Sequence, residues 1–263
     1  MDLEKYLDLK NYRPANDALQ DRTILITGAG AGLGRALALR LADLGATIIL
    51  LGKTTKKLEQ VYDEIEARGG PQPAIFPMDL AKADEQAFLG LADAVAQNFT
   101  KLDSLILNAA TLGQHGPVIH LELEQWQRAI QTNLTANFLF CKHFAGLLNV
   151  GTKSSLTFVS DSLANQGRAY WACYSTMKSA VENLIQTVAD EWETNTAIHA
   201  NIVQLPSMQT SLRRQAFPAE DPRALPEPEL MTLPFVALAD PGQNWPRGQR
   251  LRWDEQDQCL SII

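Results

Sequence analysis

Between Thr23 and Leu51 the chain reads TILITGAGAGLGRALALRLADLGATIILL, two apolar β-rich runs separated by clustered glycines and a helix-patterned segment. TILIT meets the glycines at once, Arg35 to Leu44 repeats its apolar residues at helical spacing, and Gly45 closes that helix. Thr47 to Leu51 is apolar without alternation, the mark of a strand buried on both faces. Two such strands joined through a helix form a β-α-β unit, because a parallel pair needs a crossover of this length.

The rhythm continues along the chain. Helical patterns are expected at about 54–68, 84–98, 122–148 and 174–193, and strands at Ala74–Met78, Leu102–Leu107, Ser155–Ser160 and Ile198–Gln204. Gly248–Trp253 can supply a last edge strand. The expected fold class is α/β, a Rossmann-type doubly wound parallel sheet flanked by helices on both faces. A single domain over 1–263 is the simpler reading of 263 residues with 46% hydrophobic content. Six prolines interrupt the rhythm at 206–234, either a substrate or lid loop or short helices over the strand ends, or a mobile surface insertion.

A net charge of −7 leaves no basic surplus for phosphates along a polynucleotide, so no nucleic-acid partner is expected. Cys141, Cys173 and Cys259 lack metal-ligand spacing and cannot all pair within one chain, which fits free thiols in a cytoplasmic protein. His115, His120, His143 and His199 form no ligand set, so no metal is expected. The polar lead-in to Arg22 lacks the regions of a signal peptide, and no apolar run approaches a membrane span.

TGAGAGLG, Thr27 to Gly34, is not a strict G-x-G-x-x-G, and glycines alone also suit a tight turn. Its context between a buried strand and a helix favours phosphate binding. Side-chain-free backbone at Gly28, Gly30, Gly32, Leu33 and Gly34 would approach a pyrophosphate at the helix N-terminus. After the second strand, Gly52 and Lys53 offer no acid for a ribose 2′-hydroxyl and one cation for a 2′-phosphate. NADP is therefore expected over NAD, the alternative being that Lys53, Lys56 and Lys57 are a solvated helix start.

These features, with Asn108-Ala109-Ala110, Asn133 and Tyr174-Ser175-Thr176-Met177-Lys178 in order, resemble the short-chain dehydrogenases/reductases over about residues 21–253. The runs QGRAYWACYSTMK and SLRRQAFPAEDP are similar to a subgroup of bacterial oxidoreductases within that family. The resemblance implies an oxidoreductase that moves a hydride between NADP(H) and an unidentified carbonyl or alcohol, a small-molecule substrate. It also implies a homodimer or homotetramer built on the helices at 122–148 and 174–193. Cofactor contacts are implied at Asp79 and Leu80 beside the adenine, Asn108 and Ala109 on the ribose side, Tyr174 and Lys178 at the nicotinamide ribose, and Thr210.

Tyr174 can give a proton to a developing alkoxide if its ordinary pKa of about 10 is lowered, and Lys178 one helical turn away favours the phenolate. Such a pair occurs by chance on many helices, and only its place in this order points to catalysis. Asn133 is expected to hold a water that connects Lys178 to solvent, as the resemblance implies. Trp171 and Cys173 read as packing residues.

The family places a serine thirteen residues before the tyrosine, and here that position is Asp161. A charged carboxylate accepts hydrogen bonds and cannot donate them, so it repels a developing oxyanion. Two compensations are open: Ser160 or Ser162 turns into the role, or burial keeps Asp161 protonated. Ala110 and Leu205-Pro206-Ser207 depart from the pattern at the same end. The alternative reading is a nucleotide-binding or structural homologue whose catalysis has decayed.

Overall fold

The computed structural model describes residues 6–263. Its strands are β1 (Tyr6–Asp8), β2 (Thr23–Thr27), β3 (Thr47–Gly52), β4 (Ala74–Pro77), β5 (Ser104–Leu107), β6 (Ser154–Ser160), β7 (Ile198–Gln204), β8 (Arg250–Asp254) and β9 (Cys259–Ile262). Its helices are α1 (Gly32–Ala42), α2 (Thr55–Ala67), α3 (Glu85–Phe99), α4 (Leu123–Ile130), α5 (Ala136–Leu148), α6 (Ala172–Trp192), α7 (Ser211–Ala216) and α8 (Leu233–Ala239). The strands lie in one sheet in the order β1-β9-β8-β7-β6-β5-β2-β3-β4.

From β4 across to β8 every neighbouring pair is parallel. The chain runs outward from β2 to β4 and returns to β5 on the other side of β2, so the winding reverses at the β2/β5 boundary. Crossovers cover both faces, which explains the unbroken apolar runs. One face packs Leu37, Leu41, Leu58, Val61 and Phe235 from α1, α2 and α8. The other packs Phe88, Phe140, Phe144, Val181 and Ile185 from α3, α5 and α6.

Two expectations change. The strand near 248–253 is β8, but it is not the edge: β9 and then β1 extend the sheet antiparallel beyond it. Runs of three and four residues are too short to show a period, so the sequence pattern missed them. The helix expected at 122–148 is interrupted between α4 and α5 by a π-helical turn, Gln131–Thr135, whose wider hydrogen bonding leaves the apolar spacing largely unchanged. The 206–234 segment is built from α7, two short 3-10 turns and the start of α8, with Met231 fully buried. Among the described residues no helix is long and apolar enough to cross a membrane, and no acidic, His and Cys side chains group as metal ligands.

Candidate active site

The carboxyl ends of the parallel strands open onto a cavity of about 890 Å³, at the reversal of winding where open α/β sheets bind ligands. Its first wall is the turn from β2 into α1. Gly28 and Gly32 have φ of +70° and +53°, a left-handed conformation that favours glycine. A Cβ on Gly34 would lie 2.2 Å from the Gly28 carbonyl oxygen, so the turn closes more tightly than any side chain permits. Ala31 caps α1 without a side-chain acceptor, which leaves the first N–H groups of the helix for an anion.

β5 is pinned to this turn. Thr27 Oγ1 accepts from the backbone N–H of Asn108 and of Ala109, both at 2.9 Å, and Asn108 Nδ2 donates to the Thr27 carbonyl at 2.9 Å. Asp79 and Leu80 follow β4 on the cavity wall, and Asp79 Oδ1 accepts from Ala81 N–H at 3.1 Å. Lys53 and Lys57 line the rim after β3, exposed, with no acidic residue between Gly52 and Lys57. Thr210 caps α7 through Arg213 N–H at 3.1 Å, and its methyl would stand 3.2 Å from a Cβ on Gly32. The proline-rich segment therefore meets the glycine turn directly.

Tyr174 and Lys178 lie on one face of α6, both buried at the opposite end of the cavity. Lys178 Nζ donates to the Val159 carbonyl at 2.6 Å and sits 5.4 Å from the Tyr174 ring centroid. Burial pushes its pKa down, opposed by the charges of Asp161 and Glu182. The Tyr174 hydroxyl donates to Asp161 Oδ2 at 2.6 Å. Burial first, and then the Asp161 carboxylate, hold its pKa well above the ordinary phenol value. That is the opposite of the lowering expected from Lys178 alone, and the physical reasons are burial first and then the acid counted thirteen residues earlier.

Asp161 also accepts from Leu163 N–H at 2.8 Å through Oδ1 and so caps the short turn Ser162–Ala164. Of the two serines expected to compensate, Ser160 is turned away: it is buried and donates to Glu182 Oε1 at 2.5 Å. Ser162 is exposed on the cavity wall. Asn133 lies in the π-helical turn, buried off the cavity wall. Its side chain donates to the Thr111 carbonyl and accepts from Thr111 N–H, each at 2.8 Å. Its own carbonyl accepts from Asn137 Nδ2 at 2.6 Å, so its polar groups all bond within the protein.

The structure adds residues that the sequence reading passed over. Trp171 is a cavity wall as well as a packing residue, its ring centroid 5.9 Å from Tyr174, 5.6 Å from Phe217 and 4.3 Å from His115. Glu182 is buried one turn beyond Lys178, where it accepts from Gln204 Nε2 at 2.8 Å and pairs with Arg250 at 2.8 Å. Its spacing of four from Lys178 was the available signal.

A glycine turn with these close approaches, opening onto the same cavity as a buried Tyr and Lys, is matched by known proteins. Residues 22–221 match the short chain dehydrogenase family. The chain belongs to this family. Short chain dehydrogenase relatives include the uncharacterized oxidoreductase YciK of Escherichia coli K12, 37% identical over 231 residues, 88% of this chain and 91% of that one. Among solved structures, a short chain dehydrogenase of Shigella flexneri 2a complexed with NADP is 34% identical with a TM-score of 0.87, over 92% of this chain and 100% of that chain. Another, from Escherichia coli CFT073 and complexed with NADPH, is 35% identical with a TM-score of 0.86, over 91% and 99%.

Proposed function

We propose that this short chain dehydrogenase is a single-domain NADP(H)-dependent oxidoreductase. The observation that carries the reading is one continuous cavity running from the glycine turn to Tyr174. Bound NADPH supplies a hydride to a small substrate, in the family's ordinary chemistry a carbonyl. Gly28, Gly30, Gly32, Leu33 and Gly34 hold its phosphates at the N-terminus of α1. Asp79, Leu80, Asn108 and Ala109 border the adenosine half, and Thr210 closes over the turn with the rest of 206–234. Lys53, helped by Lys57, is the partner for a 2′-phosphate, a preference supported by the relatives complexed with NADP and NADPH.

At the reaction end Tyr174 stands next to the reacting atom and Lys178 supplies the buried cation beneath it. Asp161 and Ser162 form the wall that faces the substrate, and Asn133 positions the Thr111 loop. Calorimetric titration should give tighter binding of NADPH than of NADH, with the difference lost in Lys53→Ala. Tyr174→Phe should lower turnover by roughly a hundredfold or more while leaving NADPH bound. Equal affinity for the two nucleotides would remove the NADP preference, and failure to bind either would remove the enzyme reading. NADPH binding without turnover of any substrate class would instead support the decayed homologue.

We place the protein in the cytoplasm as a homo-oligomer, with α4, α5 and α6 at the interface. Phe138, exposed on α5, supports that face.

A further inference from the structure

At the inner end of the cavity two hydroxyls that a carbonyl oxygen could use, those of Tyr174 and Ser160, are already committed. Tyr174 donates to Asp161 and Ser160 to Glu182, Lys178 gives one of its three N–H groups to the Val159 carbonyl, and the Ser162 hydroxyl stands exposed on the wall. What faces the cavity instead is a carboxylate. Asp161 uses one acceptor position on each oxygen, toward Tyr174 and Leu163 N–H, and a carboxylate has about four. No basic side chain forms an ion pair with it among the described residues, although the buried Lys178 feels its charge. On the same cavity wall stands the ring of Trp171, whose face attracts cations, whereas Tyr174 and Phe217 already face Lys178 and Arg213.

This wall opposes carbonyl reduction twice. Negative charge grows on a carbonyl oxygen as hydride reaches its carbon, next to a fixed negative charge. That oxygen also needs a proton, and loss of the Tyr174 proton would leave a phenolate 2.6 Å from the carboxylate. Burial first, and then the Asp161 carboxylate, raise the Tyr174 pKa in the same direction. A protonated C=N group reverses both objections. It enters as a cation, its charge disappears in the reaction, and it already carries the proton that the product keeps.

We infer that the group reduced at this site is an iminium carbon, with Asp161 as its counter-ion and Trp171 as its aromatic wall. The balance is complete. A hydride, with its two electrons, passes from a dihydronicotinamide to the carbon. The C=N π pair becomes the nitrogen lone pair, and the products are an amine and the oxidised nicotinamide. Tyr174 keeps its proton throughout and holds the carboxylate in place. This inference rests on the nicotinamide-nucleotide reading and changes the acceptor and, with it, the role of Tyr174 from proton donor to partner of Asp161.

The test compares an N-methyl dihydroisoquinolinium ion, whose charge is fixed, with tetralone, a neutral ketone of matching ring size. Both meet the same exposed Arg128 and Arg168 at the cavity wall, so the comparison isolates the reacting group. On protein saturated with NADP+, where no turnover occurs, calorimetry should show the iminium bound at least tenfold tighter than the ketone. Asp161→Ser and Asp161→Asn both retain an acceptor for Leu163 N–H, and each should bring that ratio close to one. With NADPH, the wild-type protein should reduce the iminium faster than the ketone, and Asp161→Ser should reverse the order.

The inference is overturned if the ketone binds as well as the iminium, if neither binds, or if both Asp161 variants keep the wild-type ratio. Ketone reduction that disappears in Ser162→Ala would also overturn it, by assigning the substrate oxygen to that hydroxyl. Failure to bind NADP(H) at all removes the nucleotide reading and this inference together. Ketone reduction insensitive to Asp161 removes this inference alone.

Discussion

A Cβ at Gly34 would fall 2.2 Å from the Gly28 carbonyl oxygen and 2.8 Å from Asn108 Nδ2, both fixed by the β2–β5 junction. Neither atom is the end of a flexible side chain free to move, so a methyl group there must displace the turn. Gly34→Ala should cost roughly 1–3 kcal/mol of stability, read as a lower melting temperature, and should weaken NADPH binding at least tenfold. Normal binding in a stably folded variant would show that the turn has slack. At this scale the glycine spacing was legible in the sequence, because a residue without a side chain announces itself wherever it stands. The orientation of Ser160 was not legible, because Glu182, which takes its proton, is 22 residues away.

Between elements, Glu182 joins α6 to three strands. It accepts from Ser160 on β6 and Gln204 on β7, and pairs with Arg250 on β8. A carboxylate this deeply buried is tolerated only because its lone pairs are used, and removal of one member leaves the others without partners. Glu182→Ala should therefore destabilise the fold by roughly 3 kcal/mol, at the low end for a buried pair because Arg250 keeps some access to water. Urea unfolding measures it, and a loss below about 1 kcal/mol would mean that the network relaxes around the gap. The π-helical turn belongs to the same scale. Apolar spacing marked one helix over 122–148, whereas the fit of Asn133 to Thr111 across the loop after β5 requires the wider turn.

For the whole molecule, the buried titratable groups set a pH window. Tyr12, Cys141 and Tyr174 all have raised pKa values, Cys141 up to about 12, so the folded chain keeps protons that the unfolded chain releases above about pH 9 to 10. Their stabilising contribution is complete below that range and is lost as pH rises. Lys178, with a lowered pKa, works in the opposite direction, one group against three. His115 and His199 are pushed down by burial, so stability is also lost as pH falls below about 6.5. The urea midpoint should peak near pH 8 and decline on both sides, and a flat alkaline limb would contradict the burial of Tyr174. Sedimentation at micromolar concentration should show a dimer or tetramer that dissociates in Phe138→Glu, whereas a wild-type monomer would remove the oligomer proposal.

The sequence by itself determined the alternation of strand and helix, the parallel sheet, the glycine turn, and Tyr174 and Lys178 on one helix face. Each is written in local spacing, since a strand buried on both faces must be apolar throughout and a helix repeats every three to four residues. Only the tertiary structure decided the two added strands at β8, the π-helical turn, and the partners of the polar side chains at the inner end of the cavity. Spacing fixes which face a residue occupies, but not what packs against that face. Tyr174 meets Asp161 across 13 residues because the end of β6 lies against the start of α6. That contact turned an apparent defect in the motif into a buried tyrosine–carboxylate pair with its own electrostatic preference.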